Sequence, residues 1–294
     1  MSKFKIWLDA SRPKTLWAAI APVILGSALA AADNSFYWPA AFIALIGAVL
    51  IQIGTNFAND YFDFLKGADA GPRLGPTRAT QAKQVTPAQM RLAFILVFAL
   101  AILIGIYLVW RGGWPVVVIG LASIFFGILY TATPYALAYL GIADLFVLIF
   151  FGPIAVGGTY YVQTLTITLQ VLIAGLAPGF ISMAILVVNN LRDIENDRKA
   201  GKMTLAVRLG KRFTQIEYIF CLLLACLIPA GLIIFYEAPL AILAVFLILP
   251  AGFNSIKIVF QPGEGKILNN VLAGTGKLLL FYCLLFSLAL TFSG

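Results

Sequence analysis

Two stretches of the 294-residue chain crowd carboxylates, carboxamides and cations together. The first reads Asn56-Phe-Ala-Asn59-Asp60-Tyr-Phe-Asp63-Phe-Leu-Lys66-Gly67-Ala-Asp69. The second reads Asn189-Asn190-Leu-Arg192-Asp193-Ile-Glu195-Asn196-Asp197-Arg198-Lys199. Wound as helix, Asn56, Asn59, Asp60 and Asp63 share an arc of about 100°, and Asn189, Asn190, Asp193, Asn196 and Asp197 one of about 120°. Asp193 and Asp197 stand at i,i+4, so their charges repel unless something positive lies between them. Carboxylates on two facing helix ends suit Mg²⁺, a hard cation that keeps several waters and bridges protein carboxylates to substrate phosphates. Each cluster is followed by a Gly-, Thr- and Arg/Lys-bearing segment, Pro72 to Lys83 and Gly201 to Arg212. Guanidinium, ammonium, hydroxyl and backbone amide groups are what a diphosphate needs.

The elements that must hold these clusters are transmembrane helices. The chain is 62% apolar and 11% charged, against about a quarter charged in ordinary globular proteins. A spanning helix takes roughly 20 apolar residues. Cutting at Gly, Pro and charge clusters predicts nine, at 15–32, 39–65, 87–109, 114–131, 141–160, 168–191, 213–235, 239–257 and 269–291. With the N-terminus cytoplasmic and the C-terminus outside, the inward segments carry 18 of the 20 Lys and Arg residues, as the positive-inside rule requires. Gly67 is placed to end the second helix. The net charge of +8 is thus a topology signal, and no nucleic-acid partner is expected. Residues 1–30 imitate a signal peptide, but Arg12, Pro13 and Lys14 read as the basic entry to a first helix. The absence of histidine removes His-ligated zinc and Ser-His-Asp chemistry. Cys221, Cys226 and Cys283 lie in apolar runs and read as buried small hydrophobes.

A membrane-embedded site for Mg²⁺ and diphosphate that opens into hydrocarbon suggests an isoprenoid diphosphate substrate. The Lewis acid would stabilise the departing diphosphate, and aromatic faces would steady the allylic cation. The chain resembles the UbiA superfamily of intramembrane prenyltransferases over essentially its whole length. The resemblance is carried by Asn59-Asp60-Tyr-Phe-Asp63, by Asp193-Ile-Glu-Asn-Asp197 and its tail to Gly210, and by Arg12-Pro-Lys-Thr15, Gly75-Pro-Thr-Arg78 and Gly141 to Pro153. A third aspartate of the first signature is replaced by Gly67, with Asp69 two residues on. That form is similar to the branch acting on 1,4-dihydroxy-2-naphthoate in menaquinone biosynthesis. Many relatives carry a lysine shortly after the tyrosine equivalent to Tyr130; here Pro134 to Tyr139 has none.

The resemblance implies one all-α membrane domain over 1–294, its helices bundled around a central cavity. Asp-rich loops at about 59–86 and 189–212 would cap it on the cytoplasmic side of a bacterial inner membrane. It implies transfer of a polyprenyl group from polyprenyl diphosphate to the naphthoate with loss of CO₂, giving demethylmenaquinone. Asp63, Asp193 and Asp197 would be Mg²⁺ ligands, then Asp60 and Asp69, with Asp60, Asp63, Asp193 and Asp197 the catalytic acids. Asn56, Asn59, Arg73, Arg78, Arg198, Lys202 and Arg12 would hold diphosphate, and Tyr130 and Asp144 would face the acceptor. Other aromatic acceptors, or a secondary transporter with a coupling-ion site, are the competing readings.

Overall fold

The computed structural model describes residues 2–67, 74, 75, 78–132, 136–261 and 265–292. Among these every regular element is helical: α1 (Lys3–Ala10), α2 (Trp17–Ala32), α3 (Trp38–Leu65), α4 (Pro87–Gly112), α5 (Trp114–Leu129), α6 (Leu137–Leu140), α7 (Ala143–Ile149), α8 (Ala155–Thr164), α9 (Leu169–Lys199), α10 (Leu205–Tyr236), α11 (Leu249–Phe260) and α12 (Leu268–Thr291), with short 3₁₀ and π turns between some of them. Seven helices, counting α7–α8 and the 3₁₀ run Leu240–Ile248 with α11 as single spans, are long and apolar enough to cross a bilayer. A further pair, Lys3–Thr15 and α2, is bent by 53°, and α5 is a shorter apolar helix. At 16 residues α5 reaches only about 24 Å, less than the roughly 30 Å hydrocarbon core. The chain is an integral membrane protein.

Local sequence explains the boundaries. Thr86 and Gln89 cap α4 reciprocally, each side chain accepting from the other's backbone N–H at 3.2 and 3.0 Å, a capping box with Pro87 at the first helical position. α3 ends as its sequence predicts: Lys66 is its C-cap and Gly67 takes φ +63°. The expected 141–160 span is one apolar run from Ala143 to Thr164, kinked where Pro153 removes a backbone donor and Gly152 leaves helical geometry at φ −108°, ψ −110°. The expected polar loop at 192–212 is mostly helix, since α9 runs to Lys199 and Thr204 caps α10 by accepting from Val207 N at 3.3 Å.

Small residues let the helices close up. A Cβ on Gly26 would stand 2.6 Å from the Val156 carbonyl oxygen, and one on Gly179 would stand 2.5 Å from that of Leu148. The main core gathers Leu25, Ile181, Tyr218, Leu279, Tyr282 and Phe286; a smaller one holds Phe57, Met90, Phe94 and Phe98 between α3 and α4. α3 and α9, at 28 and 31 residues, are about 42 and 46 Å long. Both therefore outrun the hydrocarbon, and both surpluses can carry the acidic clusters towards water.

Candidate active site

A cavity of about 710 Å³ runs between the acidic ends of α3 and α9 and down an apolar wall formed by α3, α4, α5 and the α7–α8 segment. On α3 the polar part of the wall is Gln52, Thr55, Asn56, Asn59 and Asp63, which fall within about 100° of one helix face. On α9 it is Ser182, Asn189, Asn190, Asp193, Asn196 and Asp197. Arg12, Arg78, Lys202 and Tyr130 join them.

Asp63 is 1% exposed and carries two cations. Arg78 Nη2 donates to its Oδ2, and Lys202 Nζ stands 3.3 Å from both carboxylate oxygens. Arg78 also donates to the Asn59 carbonyl at 2.5 Å. Asp193 is gripped by its own neighbour: Arg192 Nε and Nη2 donate to its two oxygens at 2.9 and 2.5 Å. The same guanidinium donates to Asn189 Oδ1 at 2.8 Å and Asn269 Oδ1 at 2.9 Å, while Asn269 Nδ2 donates to the Leu74 carbonyl at 2.8 Å. Arg192 thus ties α9, α12 and the segment after the first cluster at one point.

Arg12 sits at φ +54°, the left-handed region that non-glycine residues seldom adopt. The elbow is held from both sides. Asn56 Nδ2 donates to the Ser11 carbonyl at 2.9 Å, and Thr15 Oγ1 donates to the Arg12 carbonyl at 2.9 Å. Asn59 Oδ1 accepts from Thr131 Oγ1 at 2.8 Å, so one carboxamide of the first cluster holds backbone at the mouth and the other a side-chain hydroxyl. Lys66 Nζ donates to the Thr131 carbonyl at 2.5 Å and lies 4.2 Å from the Tyr139 ring centre; Lys202 Nζ lies 5.6 Å from the same ring. Burial lowers the Lys66 pKa, against the pull of Asp63. Two lysines distant in sequence thus converge on a segment with no lysine of its own. Deeper in, Phe126, Phe146 and Phe150 line the wall with ring centres 4.8 and 5.3 Å apart.

Three expected site residues are elsewhere. Asp60 is 3% exposed and off the wall; its oxygens accept from Ala79 N at 3.0 Å and Thr80 N at 3.4 Å, so it anchors the returning loop. Arg198 points outward and pairs with exposed Glu195 at 3.3 Å. Asp144 is buried off the wall, and neither carboxylate oxygen has a hydrogen-bond partner. Asp69 and Arg73 lie outside the described residues. Arg192 and Lys66 were missed as site residues, although Lys66 follows Asp63 by three residues and so shares its helix face.

Among the described residues no three acids gather closely enough to form a cage by themselves. Mg²⁺ does not require one: one or two carboxylates, water and substrate phosphate suffice. Asp63, Asp193 and Asp197, all on the wall, fit that donor set. The arrangement is an acidic and basic mouth for a charged head above an apolar chamber for a lipid tail.

This is the architecture of an intramembrane prenyltransferase, and the chain belongs to the UbiA prenyltransferase family, whose model matches residues 19–266. It is similar to the 1,4-dihydroxy-2-naphthoate octaprenyltransferases of Mycobacterium tuberculosis (40% identical over 74% of each chain) and Haemophilus influenzae (37%, over 76% of this chain and 74% of that one). The one from Mycobacterium leprae is 33% identical over 100% of this chain and 99% of its own. Among solved structures, the UbiA homolog from Archaeoglobus fulgidus bound to GPP and Mg²⁺ matches at a TM-score of 0.69, covering 97% of this chain and 99% of that one at 16% identity. That likeness concerns the fold.

Proposed function

We propose that the protein transfers a polyprenyl group from polyprenyl diphosphate to 1,4-dihydroxy-2-naphthoate, releasing diphosphate and CO₂ and forming the quinol form of demethylmenaquinone. The observation that carries this reading is one continuous cavity with carboxylates and cations at its mouth and hydrocarbon walls below; the naphthoate acceptor is that of the relatives above. The mouth is assigned to the cytoplasmic face of a bacterial inner membrane because the basic residues concentrate there. The nine-span reading adds the bent pair Lys3–Thr15 with α2 and the short α5, where the bilayer would have to thin, to the seven long helices.

Asp63, Asp193 and Asp197 would hold Mg²⁺, which as a Lewis acid stabilises charge on the leaving diphosphate. Arg12, Arg78, Lys202 and Lys66 receive the same charge as the allylic C–O bond breaks with its electron pair. Binding exchanges partners: Arg78 and Lys202, held by Asp63 beforehand, turn to phosphate oxygens. Phe126, Phe146 and Phe150 present ring faces to the allylic cation, and the electron-rich acceptor ring supplies the pair for the new C–C bond. Asp60, turned into the loop, is assigned to positioning the Ala79–Thr80 segment instead of to metal.

The test is product mass spectrometry on purified protein given Mg²⁺, the naphthoate and a polyprenyl diphosphate. Asp63→Asn and Asp193→Asn should retain the helical fold and lose turnover. A near-unaltered rate in either variant sinks the metal assignment, and absence of prenylated product from the unaltered protein sinks the function.

A further inference from the structure

Glycine in mid-helix is unfavourable, so each one needs a reason. Most of those in this bundle have one in packing. A Cβ on Gly54 would stand 2.6 Å from the Phe98 ring, and one on Gly127 would stand 2.5 Å from Thr55 Oγ1. Gly47 on α3, Gly105 on α4 and Gly120 on α5 have no such reason: a Cβ on any of them would meet nothing within 4 Å. All three line the cavity. The space they leave is cavity space.

They also share one level. Gly54 touches Phe98 across antiparallel α3 and α4, so seven residues further along each helix brings Gly47 opposite Gly105. Thr55 touches Gly127 across parallel α3 and α5, and stepping back by the same amount brings residue 48 beside Gly120. The ring lies 16 residues from Asp63, about 24 Å along α3. Around it the wall is open to the surroundings: Ile102, Ile106 and Leu121 line the cavity and yet are 51%, 57% and 55% exposed.

We infer that Gly47, Gly105 and Gly120 form a bore through which long isoprenoid tails leave the cavity for the bilayer, making these positions determinants of donor chain length. This rests on the donor reading above. An extended chain advances about 1.2 Å per main-chain bond, and an isoprene unit contributes four such bonds. A two-unit tail spans about 10 Å and stops above the ring. An eight-unit tail, near 40 Å by the same measure, must pass it. A bulky side chain at the ring blocks the second and spares the first.

The experiment compares Gly105→Phe and Gly120→Phe with the unaltered protein, measuring binding of a two-unit and an eight-unit isoprenyl diphosphate in Mg²⁺ by native mass spectrometry. The eight-unit Kd should weaken at least tenfold and the two-unit Kd should stay within twofold, with Gly105→Ala changing neither appreciably. Equal loss of both, or loss of neither, overturns the inference. If a Phe variant does not fold, Gly47→Leu and Gly105→Leu carry the same contrast. Turnover with the naphthoate is scored separately. Intact length discrimination without prenylated product overturns the acceptor reading alone, whereas failure of the unaltered protein to bind either diphosphate overturns both.

Discussion

Replacing Arg78 by Met keeps an apolar stem of similar length and removes the charge from a carboxylate that is 1% exposed. Stripping one partner from a buried ion pair costs about 3–5 kcal/mol, but Asp63 keeps a second cation. At 3.3 Å from Lys202 the gross attraction is about 5 kcal/mol at an effective dielectric of 20, so the carboxylate retains a close counter-charge. The loss should therefore fall near the lower bound, about 3 kcal/mol, of which the hydrogen bond to the Asn59 carbonyl accounts for about 1. Asp63→Asn alone takes the carboxylate from the guanidinium and leaves it the Asn59 carbonyl, whereas the Asp63→Asn/Arg78→Met double variant removes both members of the pair. Reversible unfolding in mixed micelles, without Mg²⁺, gives the coupling energy of the cycle, expected at about 2 kcal/mol or more. All three variants should be inactive, so stability is the informative readout. A coupling below about 0.5 kcal/mol, within the additivity error of independent sites, refutes the pairing.

Asp60→Asn should lower thermal stability while leaving the Mg²⁺ concentration for half-maximal activity within about twofold, whereas Asp197→Asn should raise it about tenfold or more; a Mg²⁺ titration decides, each tenfold change being about 1.4 kcal/mol. Gly54→Ala drives a Cβ into the Phe98 ring and should cost about 1–3 kcal/mol, read as a fall in melting temperature in detergent. Arg192→Lys keeps the charge but cannot reproduce a planar fork reaching Asp193, Asn189 and Asn269 together. Melting should fall by several degrees, and Arg192→Leu should fall further.

Helical arithmetic placed Asn56, Asn59, Asp60 and Asp63 on one face, and all four are buried there. It could not separate Asp60 from Asp63, because a roughly 100° arc is wide enough for one edge to face the cavity and the other a returning loop. What separates them is tertiary: the Ala79 and Thr80 amides arrive on one edge, the Arg78 and Lys202 side chains on the other. Arg192 looked like one more basic residue in a charged helix end. Its role depends on Asn269, 77 residues away, and no local pattern reports that. Arg198, six residues on, has the same composition around it and faces outward. The expected 141–160 span runs straight through Gly152 and Pro153; the bend there goes with the close approach of Gly175 and Gly179 in α9, which no local pattern reports.

At the end opposite the carboxylates, Arg111 donates to the Val162 and Gln163 carbonyls at 2.6 and 2.9 Å and lies 3.9 Å from the Tyr37 ring centre, while Gln163 ties Tyr37 N and Ser27 together. The cavity wall reaches Val109 and Val162, next to this knot. A chamber open to water at one face and extending this far is, electrically, most of an ion conduit, and moving one charge through a 100 mV potential releases about 2.3 kcal/mol. The knot stands at the far end of that chamber, its polar groups already paired with backbone and with one another. A polar cluster so fully self-satisfied has few groups left to hydrate, so water gains little by advancing from the mouth to this end.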